Sequence, residues 1–445
     1  MPELIIASTV VTMDAERRVI TDGGVLVDGS RIAAVGLASD LRRQFPDAVV
    51  HRFPAGVATP GYVNAHQHLT GDHLLRSCIP DAITSHDAIF DWAVPAHAAH
   101  TGDDDELSAT LALAEALMNG VTCTVEAGTV AHPERVAAAA RAVGARITLG
   151  RWGWDVGDGP QAGPASEVLA NQEALIDHLA GDPLITAWVT LVGHDLMTDE
   201  LVTGASELAR RRGTHLTFHL SPATSDAVSY VARTGLRPAL HLRDLGVLGP
   251  HVVLGHGVHL DEAERECLLA ADVAIACCPW AYLRLGQGLT VGGRHADYRR
   301  RGGRVALGCD SENAGDAIDV LRAAALFAGL ARDQSMDPFC FTAHDALAMA
   351  TIEGARAIGM DDQIGSLEVG KRADLVIHDT AQPQWTPRSP DPVLQLVWAT
   401  DGRSVGDVMV EGRWVVRRGE CCTVDRAALG PLAREHQSRL LGGRR

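Results

Sequence analysis

Thr59-Pro60-Gly61-Tyr62-Val63-Asn64-Ala65-His66-Gln67-His68 decides how this chain folds. A short apolar run ends in two histidines at i and i+2. In an extended strand those two side chains share a face. Three later apolar runs end in groups of the same chemistry: Leu216–His219, Val252–His256 and Val305–Asp310. Parallel strands whose carboxyl ends meet at one point would bring all of them together. Imidazole nitrogens and one carboxylate suit a divalent metal ion with a position left open for water. Such a site activates water at neutral pH, so the chain reads as a metal-dependent hydrolase.

Working outward, the middle of the chain alternates strand and helix. The strand candidates are Val57–Asn64, Val121–Glu126, Arg146–Arg151, Ile185–Leu191, Leu216–His219, Val252–His256, Val273–Cys277 and Val305–Asp310. Between the first two, Asp105–Asn119 carries Leu107, Leu111, Ala114 and Leu117 near helical spacing, with Gly120 as a stop. This repeat predicts an α/β fold, a (β/α)8 TIM barrel over residues 59–364. A doubly wound open sheet is the alternative, but no Gly-rich phosphate loop follows an early strand.

Both ends read differently. Residues 1–58 hold short β segments with a hairpin signal at Asp28-Gly29, and residues 365–424 repeat the style around Glu411-Gly412. Neither end can bury a sheet face alone, so both termini are expected to build one small β-sandwich domain. Residues 425–445 read as a helical tail.

The composition narrows the function. With 445 residues, 46% of them hydrophobic, a large core is affordable, and a formal charge of -17 disfavours nucleic acid and anionic lipid as partners. The arginines from Arg299 to Arg304 read as a solvated helix face. Nine cysteines without metal-finger spacing suggest reduced thiols in a cytoplasmic protein. Met1 onward shows no basic-then-apolar pattern, so no signal segment is expected, and no run approaches the length needed to span a membrane. The expected partner is a small-molecule substrate, and a homodimer is expected.

The opening stretch resembles the first-strand signature of the amidohydrolase superfamily, and within it the cytosine deaminase-like branch of triazine hydrolases, guanine deaminases and methylthioadenosine/S-adenosylhomocysteine deaminases. Gly255-His256-Gly257-Val258-His259-Leu260 and Ala306-Leu307-Gly308-Cys309-Asp310 are similar to later strands of that branch. So are Ala346–Thr351 and the run Ile364-Gly365-Ser366-Leu367-Glu368-Val369-Gly370-Lys371-Arg372-Ala373-Asp374-Leu375-Val376. The resemblance implies that His66, His68, His219 and Asp310 bind the metal, Zn first with Fe or Mn as alternatives. It implies that His256 sits beside the activated water, as a polariser or a fifth ligand, and that Asp310 doubles as the base.

Two departures matter. Binuclear relatives bridge two metals with a lysine on the fourth strand; the single lysine here, Lys371, lies in the C-terminal segment, so one metal per chain is expected. Deaminases of this branch carry Glu three residues after the fifth-strand His. Here that position is Pro222, which can neither donate nor accept a side-chain proton. Glu126, His194, Asp226 and Glu312 are the candidates to replace it.

For the substrate wall the sequence offers Glu126, His194, Arg151, Trp92 and Trp154, with Trp152 and Trp280 nearby. His73, His86, His97 and His100 lie on the long loop after the first barrel strand, where one is expected to reach the pocket. Flat aromatic walls suit a planar ring. The reading is C–N bond hydrolysis of a small cyclic or aromatic nitrogen compound, of aminohydrolase type. Amide, urea or carbamate hydrolysis and halide displacement follow because of Pro222. A non-catalytic relic of the fold comes last.

Overall fold

The computed structural model describes residues 1–442. The barrel is present. Tyr62–Gln67 pairs in parallel with Val121–Glu126, which pairs with Arg146–Leu149 and then Ile185–Ala187. Val189–Gly193 begins the other half. It pairs with Leu216–Leu220, followed by Val252–His256, Ala274–Cys277 and Arg304–Leu307. The cylinder closes where the amides of Cys309 and Asp310 both donate to the carbonyl of His66, at 3.1 and 2.9 Å. The closing bonds thus lie at the residues expected to bind metal.

One correction concerns the fourth strand, expected as an unbroken Ile185–Leu191. It divides at Trp188: residues before it pair with the third strand and residues after it with the fifth. The Trp188 indole packs in the barrel interior with Val63, Val125, Val253 and Ala306. Residues that pack there are mostly small, so one bulky ring takes up the space where the ladder changes partner.

The helix expected at Asp105–Asn119 spans Gly102–Met118. It starts earlier because Thr101 and Asp104 form a reciprocal capping box, which satisfies two of its first amides. The Arg299–Arg304 stretch is less solvated than expected. Arg299 pairs with Glu353 and Asp345, and Arg304 pairs with Asp272.

Both termini contribute to one eight-stranded sheet. The N-terminal Val49–Pro60 pairs antiparallel with the C-terminal Leu375–Asp379 and joins the two ends. Ile5, Val25, Ile32, Leu375 and Met409 form its core. The Asp28-Gly29 hairpin forms between Val19–Asp28 and Arg31–Leu37, with Gly29 at φ 59. Val49–Pro60 runs to within one residue of the first barrel strand, so the expected boundary between residues 58 and 59 falls inside a strand.

Polar bonds buried between the two domains fix their relation. Arg146, in the third barrel strand, donates to both carboxylate oxygens of Asp374 at 3.0 and 3.2 Å. His378 lies between the Tyr62 hydroxyl and the Ser404 hydroxyl, each 2.7 Å away. The tail forms a helix, Arg426–Leu441, docked through Gln437 on the carbonyl of Leu74. The end of the expected tail, 443–445, lies outside the described residues. Among the described residues no helix is long and apolar enough to cross a membrane.

Candidate metal centre

His66 and His68 leave the first barrel strand together, His219 ends the fifth and His256 the sixth, and Asp310 follows the eighth. A ring nitrogen from each of His66, His68 and His219 falls in one group within 4.8 Å. The Nε2 atoms of His68 and His219 are 3.3 Å apart, and Oδ1 of Asp310 lies 3.5 Å from His68 Nε2 and 4.0 Å from His66 Nε2. Two donors bound tetrahedrally at about 2.1 Å from one ion would stand about 3.4 Å apart. The spacing is that of ligands around a shared centre.

The outer nitrogens orient these rings. His219 Nδ1 donates to the carbonyl of Val192 at 2.5 Å, which turns Nε2 inward. His68 Nδ1 is 3.0 Å from the Thr129 hydroxyl, again leaving Nε2 for the centre. Among the described residues, neither ring nitrogen of His66 has a hydrogen-bond partner, although the residue is only 1% exposed. An orphaned buried imidazole is costly unless something occupies its lone pair. The donor set therefore fits a metal ion.

Electrostatics agree. Burial, then neighbouring histidines, hold His66, His219 and His256 well below the usual imidazole range, and His68 is brought to about 4 by burial. Neutral rings are the form that binds metal. Burial pushes Asp310 up to about 7, a cost that a cation beside it would reverse.

Backbone conformation contributes. His256 and Asp310 have φ of 77 and 64, and His194 has 52. Left-handed backbone at non-glycine residues costs about 1–3 kcal/mol each and persists where the surroundings impose it. Gly255 and Gly308 leave room for His66: a Cβ on either would come within 2.8 Å of that side chain.

A narrow cavity of about 100 Å³ opens over the centre. His68, His219, His256 and Asp310 floor it, and Pro222, His194, Trp152, His97 and Gln287 are among its walls. Of the expected substrate residues, His194 lines it, stacked on His219 with ring centroids 5.0 Å apart. Glu126 does not. It is fully buried, and its carboxylate accepts from the amides of Gly128 and Thr129, so it shapes the turn after the second strand. Trp154 packs behind Trp152 in a buried cluster, and Arg151 bonds Gln172 through its main chain, so neither is a wall residue. Trp92 sits on the π-helical turn Ala88–Ala93, whose Ile89 and Ala93 line the cavity. Trp280 lies under the guanidinium of Arg322 instead.

Among the loop histidines, His97 is the one on the cavity wall. His73 pairs with the buried Glu312, His100 with Asp105, and His86 is exposed. Of the candidates to replace the missing acid, Asp226 reaches back to His194, Nδ1 to Oδ2 at 3.4 Å. Asp72, Gln287 and Cys278 were not anticipated. Cys278 groups with His66, His256 and Asp310 within 4.8 Å, and burial raises its thiol.

Residues 57–415 match the model of the Amidohydrolase family. The chain belongs to the amidohydrolase family. A second model, for an imidazolonepropionase-like composite domain of bacteria, matches residues 23–48 of this amidohydrolase. A 5-methylthioadenosine/S-adenosylhomocysteine deaminase from Syntrophobacter fumaroxidans is 32% identical over 95% of this chain and 94% of its own. The crystal structure of an adenosine deaminase from Xanthomonas campestris with bound zinc superposes with a TM-score of 0.92 at 28% identity, covering 99% of this chain and 98% of that one. A triazine hydrolase from Arthrobacter aurescens shares the fold, with a TM-score of 0.90 at 23% identity over 98% and 99% of the two chains. This amidohydrolase is thus a hydrolase of C–N bonds other than peptide bonds.

Proposed function

We propose that this amidohydrolase is a mononuclear metal-dependent aminohydrolase of a compact cyclic or aromatic nitrogen compound. One observation carries the reading: His66, His68, His219 and Asp310 converge under a narrow cavity, with both nitrogens of buried His66 lacking any hydrogen bond among the described residues. One divalent ion on these four residues, Zn first with Fe or Mn as alternatives, supplies a nucleophilic water and a Lewis acid at neutral pH. Asp310 takes the proton from the attacking water. His256 polarises the ring atom next to the attacked carbon.

The leaving amine needs a proton, and Pro222 has none to give. His194 takes that role in this reading. Asp226 engages its Nδ1, leaving Nε2 for the cavity. As the C–O bond forms and the C–N bond breaks, His194 protonates the departing nitrogen, and Asp226 stabilises the ring orientation.

Relatives named as 5-methylthioadenosine/S-adenosylhomocysteine deaminases support amine release. A cavity of about 100 Å³ suits one ring better than a nucleoside with a thioether chain. Pro222 on the wall favours one second reading: amides, ureas or carbamates, whose hydrolysis needs no ring protonation. The test is ammonia release from cytosine, guanine and melamine by Zn-loaded protein, beside aniline release from phenylurea and benzoate formation from benzamide. Turnover of the ureas or amides alone overturns the aminohydrolase assignment. No turnover of any of them overturns both readings.

A further inference from the structure

The tail helix Arg426–Leu441 has no buried residue, so it adds little to the hydrophobic core. Between its first turns and the helix Gly102–Met118 lies an open cavity of about 410 Å³, lined by Leu111, Met118, Arg426 and Leu429 among others. Its later turns hold on through polar bonds. His436 Nδ1 donates to Asp104 Oδ1 at 2.7 Å, and Arg439 donates to the same oxygen. Gln437 donates to the carbonyl of Leu74 at 2.9 Å. Residues 436 and 439 share a helix face, while 437 points about 100° away from 436, so one turn reaches two places at once.

Those two places bracket the segment that walls the cavity over the centre. Leu74 stands near the start of the loop that follows the first barrel strand. Asp104 stands just past its end, where its Oδ2 takes the amide and the hydroxyl of Thr101 at 2.7 and 2.6 Å. Between them, Ile89, Ala93, Val94 and His97 line the cavity. Asp104 is fully buried, and among the described residues its Oδ1 is bonded by His436 and Arg439 alone. A buried carboxylate oxygen is costly unless it is bonded, so this one is built to be completed by the tail. Neighbouring bonds hold each end separately: Arg76 pairs with Glu115 at 2.6 Å, and His100 Nδ1 lies 3.0 Å from Asp105. The tail ties the two ends to each other.

We propose that the tail helix is a strap that sets the cavity wall. His436, Gln437 and Arg439 are its positioning residues: they fix both ends of the loop, hold residues 85–98 against the centre, and so govern access to it without touching it. The proposal rests on the metal reading of the centre only for one of its two probes.

The test uses full-length variants: H436A/R439A, Q437A, which keeps Asp104 paired, and E435A on the exposed face of the same helix as a control. Hydrogen–deuterium exchange in peptides from 85–98 should rise about tenfold in H436A/R439A and about threefold in Q437A, because local opening follows the bonds that oppose it. Peptides from Val252–His256 should exchange as in wild type, which reports an intact barrel. EDTA should strip zinc from Zn-loaded H436A/R439A about tenfold faster than from wild type, as the wall opens more often. E435A should match wild type in both readings. Faster exchange confined to 426–441, with the wall and the zinc loss unaltered, overturns the proposal. So does a rise shared by Val252–His256, which is general destabilisation, or a faster wall with unaltered zinc loss. A wild-type protein that holds no zinc counts against the metal centre instead, and exchange at 85–98 then decides the strap by itself.

Discussion

Nδ1 of His194 lies 3.4 Å from Oδ2 of Asp226, and the same oxygen accepts from the amide of Ser221 at 3.2 Å. One carboxylate therefore ties the loop carrying Pro222 to a histidine on the cavity wall. In the proposed reaction this histidine–carboxylate couple supplies the proton that Pro222 cannot.

Replacing His194 by glutamine should lower kcat for the amine substrate by about 10²–10⁴-fold, the usual yield of general acid–base help. Asp226→Asn should lower kcat less, by about tenfold, and change KM little. Steady-state ammonia release measures both. A kcat unchanged in H194Q removes the couple from the reaction.

His66→Ala and His219→Ala should each leave the protein without tightly held metal. Elemental analysis of wild type should give one ion per chain, because the chain has no lysine on the fourth strand to bridge a second. Two tightly held ions per wild-type chain would contradict the mononuclear centre. Chelation should lower Tm, since an ion bound to the native state stabilises it by mass action.

The buried bond between Arg146 and Asp374 holds the barrel against the β domain. Asp374→Asn leaves the buried guanidinium beside a neutral amide, with Glu411 as its remaining carboxylate partner. Removing one partner of a buried pair costs about 3–5 kcal/mol when the charge is left alone, so with Glu411 retained the expected loss is at or below about 3 kcal/mol. Urea denaturation should show a loss of that order, with a smaller loss in the Arg146→Met/Asp374→Leu double variant. A D374N midpoint equal to wild type would mean the pair carries no stability.

His378 gives a pH dependence of definite sign. Burial lowers its pKa to about 3, against 6.5 for the free ring. The unfolded chain takes up the proton first, so stability is fully present above pH 6.5 and falls as the pH drops toward 3. The loss is about 1.4 kcal/mol per pH unit for this one group. Other buried histidines act in the same direction, so the comparison is between slopes: His378→Gln should flatten the acid limb of stability against pH by about that amount. An identical slope in the variant sinks the assignment.

Much of the centre was legible in the residue order. His66 and His68 share a face because strand geometry repeats every two residues, and this needs no knowledge of the rest of the chain. The barrel was legible from the alternation of eight strands with helices, which is also written in short segments. Trp188 was not legible as a break, because nothing local distinguishes a tryptophan that fills a barrel interior from one in a continuous strand. Glu126 shows the opposite failure. It ends a strand at the correct depth, yet the two amides that follow it capture its carboxylate.

The sequence by itself determined the family, the barrel and the side chains that gather at the candidate metal centre, since these rest on short motifs and on a strand–helix alternation repeated along the chain. Only the tertiary structure decided which loop residues face the cavity. It chose His97 over His73, His86 and His100, set Asp72 and Gln287 on the wall, and placed Asp226 behind His194. Loops have no repeat to read. Their side chains are aimed by what they pack against, and those neighbours come from parts of the chain far apart in order.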